Sequence, residues 1–169
     1  MDGATQVIAY IGLGANLGDT RAALNSAVAE LARLPETAVL AVSAAYRSAP
    51  IDAEGPDFLN AVARIATALS AARLLAALHE IERRHHRQRP YRNAPRTLDL
   101  DLLLYGDERS DDPQLRLPHP RLHERAFVLL PLLELDPGLS AVGLGGLADW
   151  LPDVAGQAIA RESEPLIGR

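Results

Sequence analysis

The most informative stretch of this sequence is Arg96-Thr97-Leu98-Asp99-Leu100-Asp101, which continues into Leu102-Leu103-Leu104-Tyr105. Apolar and polar residues alternate at first and then merge into a continuous apolar run, which predicts a strand that enters a core. Side chains alternate between the two faces of a strand, so Asp99 and Asp101 are expected on the same face. Two such carboxylates, with α-carbons roughly 6–7 Å apart, can bind Mg²⁺ whose other ligands are waters and phosphate oxygens.

An arginine-rich segment precedes this strand. From Arg83 to Arg96 the chain reads Arg-Arg-His-His-Arg-Gln-Arg-Pro-Tyr-Arg-Asn-Ala-Pro-Arg, without a single acidic residue. An Asp-x-Asp pair alone is more often a solvent-facing strand end than a metal site. Next to a dense cationic segment, however, it favours a polyphosphate substrate, because metal ions bind some phosphate oxygens and guanidinium groups bind the others.

Length and charge limit the class of protein. A chain of 169 residues can form one well-buried domain and is too short for two ordinary ones, so we expect a single domain over 1–169. The net charge of −5 argues against a general nucleic-acid binder, and a local arginine cluster in an acidic chain indicates a focused anion site. Because the sequence shows neither a signal-peptide pattern nor a run of about 18 apolar residues, we expect a cytoplasmic protein without membrane association.

Two residue types are missing from the sequence, and each absence excludes a kind of chemistry. The chain has no cysteine, which excludes disulfides, zinc thiolates and thiol nucleophiles. It has no lysine either, since all 17 residues counted as Lys or Arg are arginine. A Walker-type P-loop, a protein kinase and a Schiff-base enzyme all need a lysine, so these classes are excluded.

The order of the predicted elements indicates the fold. Periodicity predicts strands over 7–13, 39–47, 58–67 and 97–105, and helices over 21–34 and 71–85. Asp19 or Thr20 is expected to cap the first helix and Ser70 the second, with Pro35 ending the first. The order strand-helix-strand-strand-helix-strand is typical of a ferredoxin-like α+β fold, with an antiparallel sheet and helices packed on it.

Two further regions are predicted with less detail. Gly12 and Gly14, followed by Gly18, do not match G-x-G-x-x-G, so a tight glycine turn after the first strand is favoured over a dinucleotide site. Beyond the βαββαβ core, we expect a C-terminal extension with a helix over 124–133, a loop over 137–146 and a short helix over 147–151.

Five blocks of the sequence carry a family resemblance. They are Ala9-Tyr10-Ile11-Gly12-Leu13-Gly14-Ala15-Asn16-Leu17-Gly18, Tyr46-Arg47-Ser48-Ala49-Pro50, Asp57-Phe58-Leu59-Asn60-Ala61, Ala94-Pro95-Arg96-Thr97-Leu98-Asp99-Leu100-Asp101, and Leu117-Pro118-His119-Pro120 through Arg125-Ala126-Phe127. In this order and spacing, the chain resembles the 6-hydroxymethyl-7,8-dihydropterin pyrophosphokinases. The resemblance extends to about Pro137.

The resemblance implies an Mg-dependent enzyme of folate biosynthesis. Such an enzyme transfers pyrophosphate from ATP to the hydroxymethyl group of the pterin and releases AMP, with two Mg²⁺ ions over Asp99 and Asp101. Its catalysis rests on positioning and charge neutralisation rather than covalent chemistry. By motif match, the resemblance also implies catalytic roles for Arg87 and Arg96 and ATP-binding roles for Glu82, Arg89, His119 and Arg125.

A pterin site is implied in the same way. A flat heterocycle needs aromatic faces above and below it and an amide at its edge. The only two phenylalanines, Phe58 and Phe127, fall at family positions that sandwich the pterin, and Asn60 shares a strand face with Phe58. Without the resemblance, two core phenylalanines and a strand-end asparagine would be the simpler interpretation. The remaining pterin contacts are assigned to backbone groups around Ser48, Ala49 and Pro50.

The sequence departs from the family pattern at three positions. His86 stands where a glycine is common, Asn93 where some members have an aromatic residue, and His79 where some have glutamine. These departures concern loop motion and nucleotide affinity rather than the reaction. Together with His85 and His123, the histidines at 79 and 86 are expected to be surface residues.

Two other functions are compatible with the predicted fold. An RNA-binding module is disfavoured because the aromatic-rich RNP1 pattern is absent, aromatic residues make up only 4% and the chain is acidic. A different two-metal enzyme, such as a nucleotidyltransferase or a nuclease, would also use paired aspartates. Formation of AMP from ATP and the pterin alcohol separates these possibilities. We expect a monomer that acts on small molecules and binds no nucleic acid.

Overall fold

The computed structural model describes residues 5–49, 56–87 and 98–166. Its strands are β1 Val7–Ala15, β2 Thr37–Val42, β3 Tyr46–Ser48, β4 Phe58–Thr67, β5 Asp99–Tyr105, β6 Ser110–Asp112, β7 Leu115–Leu117, β8 Ser140–Ala141, β9 Gly145–Gly146 and β10 Ile159–Arg161. Its helices are α1 Thr20–Ala32, α2 Ala71–Arg87, α3 Ala126–Leu135 and α4 Leu151–Val154, with a 3₁₀ turn at Leu147–Trp150. Within these ranges, no helix has the length and apolar character needed to cross a bilayer.

The main sheet confirms the ferredoxin-like fold. Its strands follow the order β5-β1-β4-β3-β10, and β2 also pairs with β4. Every pairing in this sheet is antiparallel. Both helices of the βαββαβ unit pack on one face of the sheet, so the predicted order of elements leads to the observed architecture.

The predicted second strand over 39–47 is wrong in one respect, because it is divided into β2 and β3. Between them, the Ser43 hydroxyl oxygen accepts from the backbone N–H of Val62 at 3.0 Å. The backbone N–H of Ala44 donates to the Glu134 carboxylate, at 3.0 and 3.2 Å to its two oxygens. The break is therefore stabilised by partners distant in sequence, which local alternation does not reveal.

Each face of the sheet has its own core. On one face, Ile11 and Ile65 are buried with Leu24 of α1 and Leu78 of α2. On the other face, Tyr10, Val62 and Leu103 are buried with residues of α3 and of the C-terminal extension. The helix caps are as predicted, since Asp19 accepts from the backbone N–H of Ala22 at 3.0 Å and Ser70 accepts from that of Arg73 at 3.2 Å. The second face, which carries α3, is the one that contains the site described below.

Several predicted boundaries shift. The glycines at 12 and 14 do not form a turn but lie inside β1, which continues to Ala15. Helix α1 ends at Ala32, before Pro35, and α3 begins at Ala126 rather than at 124. The predicted loop over 137–146 contains the β8–β9 hairpin. Three short strands were not predicted, namely β6, β7 and β10, and β10 extends the main sheet at β3.

For two of the four histidines, His85 and His123, the predicted surface position is wrong. The side chain of His85 is only 10% exposed, and its Nε2 lies 2.8 Å from a carboxylate oxygen of Glu30 on α1. Arg84 binds the other oxygen of the same carboxylate at 2.6 Å. His123 packs edge-on against Trp150, with ring centroids 4.6 Å apart. The Glu30 cluster therefore ties the last turns of α2, where the arginine-rich segment begins, to α1.

Candidate active site

The register of the sheet brings the predicted site residues to one face. In the β1–β5 pairing, Asp99 lies opposite Gly14 and Asp101 opposite Gly12. In the β1–β4 pairing, Asn60 also lies opposite Gly14. Directly opposed residues of an antiparallel pair project from the same face. The two aspartates and Asn60 therefore share a face, as predicted for the aspartate pair, with two glycines between them.

A cavity of about 300 Å³ lies over these glycines, and we call it the central cavity. The described residues that line it are Gly12, Leu13, Gly14, Ala49, Phe58, Asn60, Ala61, Asp99, Asp101, Arg121, Arg125, Phe127 and Val128. The glycines form its floor because they place no side chain above the sheet. A Cβ at Gly14 would lie 3.3 Å from Oδ1 of Asn60 and 3.9 Å from Cδ1 of Phe58. The predicted glycine turn is thus wrong, because the two glycines lie within a strand and line the cavity, a placement that only the strand register reveals.

Strand β3 holds the side-chain amide of Asn60 in one orientation. Its Nδ2 donates to the backbone oxygen of Tyr46 at 3.2 Å and to the hydroxyl oxygen of Ser48 at 2.8 Å. A backbone oxygen can only accept, so the amide nitrogen must face β3 while Oδ1 faces Gly14. Asn60 therefore presents a hydrogen-bond acceptor towards the floor of the central cavity. Ser48 is buried and supports Asn60 through its side chain, while Ala49 lines the cavity directly.

The opposite wall of the central cavity comes from the start of α3 and the loop before it. Phe127 lies in the first turn of α3, and the Arg125 guanidinium carbon lies 5.5 Å from the centroid of its ring. Arg121 lines the cavity as well, although it was not among the predicted site residues. No sequence signal distinguishes Arg121 from the other arginines outside the arginine-rich segment. The cavity thus has carboxylates on the β5 side and guanidinium groups on the α3 side.

His119 is held in a defined tautomer near this wall. The backbone N–H of Arg121 donates to Nδ1 of His119 at 3.1 Å, which leaves the hydrogen of a neutral imidazole on Nε2. Burial is the largest effect and lowers the pKa of His119; Asp101 opposes it, while Arg125 and Arg121 lower the pKa further. The net lowering of the pKa favours a neutral ring, whose Nε2–H is a hydrogen-bond donor.

A second cavity, of about 240 Å³, follows the outer edge of β5, and we call it the edge cavity. The described residues that line it are Leu75, His79, Leu100, Asp101, Leu102, Pro113, Gln114, Leu115, Arg116, His119 and Pro120. Asp101 lines both cavities, so they meet at this carboxylate. The arrangement allows one ligand in each cavity, with the ends of both at the aspartate pair.

Glu82 supports the strand that carries the aspartates. One of its carboxylate oxygens accepts from the backbone N–H of Leu100 at 2.7 Å, and Leu100 lies between Asp99 and Asp101. Helix α2 thereby fixes the start of β5. Glu82 therefore contacts the backbone of β5 between the two aspartates.

Four predicted site positions cannot be compared with the structure. Arg89, Arg96 and Pro50 lie outside the described residues, and of Arg87 only the backbone is described, as the last residue of α2. The described site residues, in contrast, converge from β3, β4, β5 and the start of α3. No cluster of three or more His, Cys, Asp or Glu side chains suited to a metal ion occurs within 5–49, 56–87 and 98–166.

Paired carboxylates that face guanidinium groups are typical of a phosphoryl-transfer enzyme. Residues 10–137 match the family model of 7,8-dihydro-6-hydroxymethylpterin-pyrophosphokinase (HPPK). The chain belongs to this family. It is therefore an enzyme of folate biosynthesis that transfers pyrophosphate from ATP to the hydroxymethyl group of 6-hydroxymethyl-7,8-dihydropterin.

Similar proteins support this assignment. A 2-amino-4-hydroxy-6-hydroxymethyldihydropteridine pyrophosphokinase of Pseudomonas aeruginosa is 46% identical over 131 residues, which cover 77% of this chain and 81% of that protein. The protein of the same name from Bacillus subtilis is 43% identical over 129 residues, which cover 76% of this chain and 77% of that protein.

A solved structure supports the fold. Wild-type HPPK-DHPS of Plasmodium falciparum superposes with a TM-score of 0.70 at 14% identity, over 90% of this chain and 45% of that chain. This chain therefore spans less than half of the length of that chain. At this level of identity, the likeness concerns the fold alone.

Proposed function

We propose that the aspartate pair is the metal site of this pyrophosphokinase, with two Mg²⁺ ions bound by Asp99 and Asp101 together with the phosphates of ATP. The observation that carries the proposal is the shared face of the two carboxylates, with Asp101 at the junction of both cavities. Carboxylate oxygens are the ligands that Mg²⁺ prefers, and it commonly takes one or two of them and completes its shell with waters and substrate phosphates. When bound, the ions neutralise phosphate charge and align the reacting oxygens.

We place the nucleotide in the edge cavity. Leu75, Leu102 and Leu115 offer an apolar surface for the base, while Asp101 and His119 lie where the polyphosphate would reach the central cavity. The neutral His119 can donate Nε2–H to a phosphate oxygen without the need to lose or gain a proton. Glu82 contributes by holding β5, and with it both aspartates, at a fixed height above α2.

We place the pterin in the central cavity, between Phe58 and Phe127. The volume of the central cavity, about 300 Å³, lies at the lower end of the range for small-molecule sites. Asn60 offers Oδ1 as an acceptor, which selects a ligand edge that carries N–H donors, as the pterin ring does. Ala49 and the backbone around Ser48 and Pro50 complete the proposed recognition.

In the proposed reaction, the pterin hydroxymethyl oxygen attacks the β-phosphorus of ATP and AMP leaves. The two cavities meet at Asp101, so this geometry can bring the oxygen and the phosphate together in line. Arg125 would stabilise charge that develops on the transferred phosphates. We assign the same task to Arg121, and to Arg87, Arg89 and Arg96 of the arginine-rich segment on the strength of the family motif.

The proposal also covers the assembly state, the cellular location and the partners of the protein. We further propose that the protein acts on small molecules as a single domain and as a monomer. It works in the cytoplasm, which supplies ATP, and it has no nucleic-acid partner.

The reaction is tested by incubating the protein with Mg²⁺, ATP and 6-hydroxymethyl-7,8-dihydropterin and separating the nucleotides. We expect AMP and a pyrophosphorylated pterin in equal amounts. The formation of ADP, or of AMP without modified pterin, would contradict the proposal. Asp101→Asn serves as the matched control, since it keeps the shape of the side chain and removes its charge.

A further inference from the structure

Two proposed ligand-binding side chains lie at the start of α3, which has no cap from its own segment. Arg125 is the residue before the helix, and none of its side-chain atoms caps the backbone there. Phe127 follows two residues later. Since the first N–H groups of a helix lack partners within it, the position of this turn depends on a group from elsewhere.

That group is Gln157, in the C-terminal extension. Its side-chain oxygen accepts from the backbone N–H of Ala126 at 2.8 Å, and its side-chain nitrogen donates to the backbone oxygen of Glu124 at 2.8 Å. The amide therefore binds the chain on both sides of Arg125. Both partners are backbone groups of fixed polarity, so the orientation of the amide is determined.

Gln157 is itself anchored to the opposite wall of the central cavity. Two residues later the chain enters β10, where Ile159 pairs with Ser48 of β3. Ser48 accepts from the amide of Asn60. An unbroken series of contacts thus runs from Asn60 through β3 and β10 to Gln157 and the start of α3. A small cavity of about 130 Å³ lies between these parts, lined by Ala49, Phe127 and Gln157 among others.

We propose that Gln157 is a positioning residue for pterin binding, which sets the spacing between the Phe127 wall and the Asn60 wall of the central cavity. This inference rests on the proposed placement of the pterin in that cavity. Gln157 lies beyond residues 10–137, the part of the chain that matches the family model. The C-terminal extension would then contribute to substrate affinity and not only to the fold.

The test compares Gln157→Leu with Gln157→Glu. Leucine has a similar length and makes neither hydrogen bond. Glutamate can still accept from Ala126, and its charge suits a helix N-terminus, but it cannot donate to Glu124. Gln6→Leu is the matched control, because Gln6 is exposed and precedes Val7, at the end of β1 that lies farther from Gly12 and Gly14.

The measurement is the dissociation constant of the pterin by calorimetry without nucleotide, together with the melting temperature. For Gln157→Leu we expect about tenfold weaker pterin binding, since two hydrogen bonds to backbone groups are lost. Gln157→Glu should fall between this variant and the parent, and Gln6→Leu should equal the parent. This graded order is a result that a purely structural role would not produce.

The inference is overturned if the folded Gln157→Leu protein binds the pterin as tightly as the parent, whether or not its melting temperature falls. Should that variant fail to fold, Gln157→Glu decides in the same way, because parent affinity there contradicts a role for the Glu124 contact. Asn60→Ala separates the two levels of the argument. If Asn60→Ala also binds the pterin as tightly as the parent, the placement of the pterin in the central cavity is wrong. If Asn60→Ala binds the pterin more weakly but the Gln157 variants bind it as tightly as the parent, the placement is supported and the positioning role of Gln157 is wrong.

Discussion

Asn60→Asp should convert pterin binding into a pH-dependent process. Asparagine and aspartate have nearly the same shape, so the substitution changes hydrogen bonding and charge rather than packing. In the parent, Nδ2 of Asn60 donates to Tyr46 O at 3.2 Å and to Ser48 Oγ at 2.8 Å. An ionised aspartate would place an oxygen against the Tyr46 carbonyl oxygen, while a protonated one could still donate to it.

The size of the effect follows from burial. Asn60 is only 3% exposed, so a charge at this position loses nearly all of its hydration. Burial of this kind raises the pKa of a carboxyl group well above its ordinary value, by up to roughly 3–5 units for a fully buried group. Above this raised pKa, the free energy needed to protonate the carboxyl group increases by about 1.4 kcal/mol for each pH unit. If only the protonated form binds the pterin, the affinity therefore falls tenfold for each pH unit.

The assay is the dissociation constant of the pterin between pH 5.5 and pH 8.5, measured for the parent, Asn60→Asp and Asn60→Ala. The ratio of the Asn60→Asp value to the parent value should be constant below the raised pKa of the new carboxyl group and rise with pH above it, whereas the ratio for Asn60→Ala should stay flat at every pH. Parallel profiles for Asn60→Asp and the parent would refute the assigned orientation of the amide.

Two other perturbations give sharp expectations. Gly14→Ala should weaken pterin binding roughly tenfold, because the new methyl group would lie on the floor of the central cavity, 3.3 Å from Oδ1 of Asn60; overpacking costs about 1–3 kcal/mol of stability, so the melting temperature should also fall, whereas it should not fall for the exposed control Gly138→Ala. Glu30→Gln should reduce stability at neutral pH by roughly 1 kcal/mol and flatten its loss in acid. Burial alone would raise the pKa of Glu30, but hydrogen bonds from Arg84 and the adjacent histidine lower it. The parent should therefore lose this stability as the pH falls below about 4.3, whereas equally steep acid unfolding of both proteins would be the contrary result.

The core elements were predictable because their signals are local. The strand over 58–67 is a mostly apolar run that follows the turn residues Gly55 and Pro56, and both main helices have a cap and an apolar stripe, so the structure reproduces them closely. The break between β2 and β3 was not predictable, because it depends on Glu134 of a helix some 90 residues away. Strand β10 was missed for the same reason, since three residues become a strand only through pairing with β3.

The site was predictable in part. Periodicity within one strand places some of its residues, whereas the others depend on how several strands pair. A period of two is enough to place Asp99 and Asp101 on one face. It does not show that Gly12 and Gly14 lie between them and Asn60, which requires the alignment of three strands. Nor does it show that Arg121 points into the cavity that Arg125 lines. Site residues that are brought together by strand register or loop packing can thus be identified only from the structure. Site residues that lie on the same strand can be identified from the sequence.

The metal site is tested most directly by crystals grown with a non-hydrolysable ATP analogue, the pterin and Mn²⁺ in place of Mg²⁺. An anomalous difference map locates the manganese ions without reference to any assumed site. We expect two peaks at coordination distance from carboxylate oxygens of Asp99 and Asp101, each also touching a phosphate oxygen. Peaks that touch only the phosphates, with both aspartates out of coordination distance, would contradict the account.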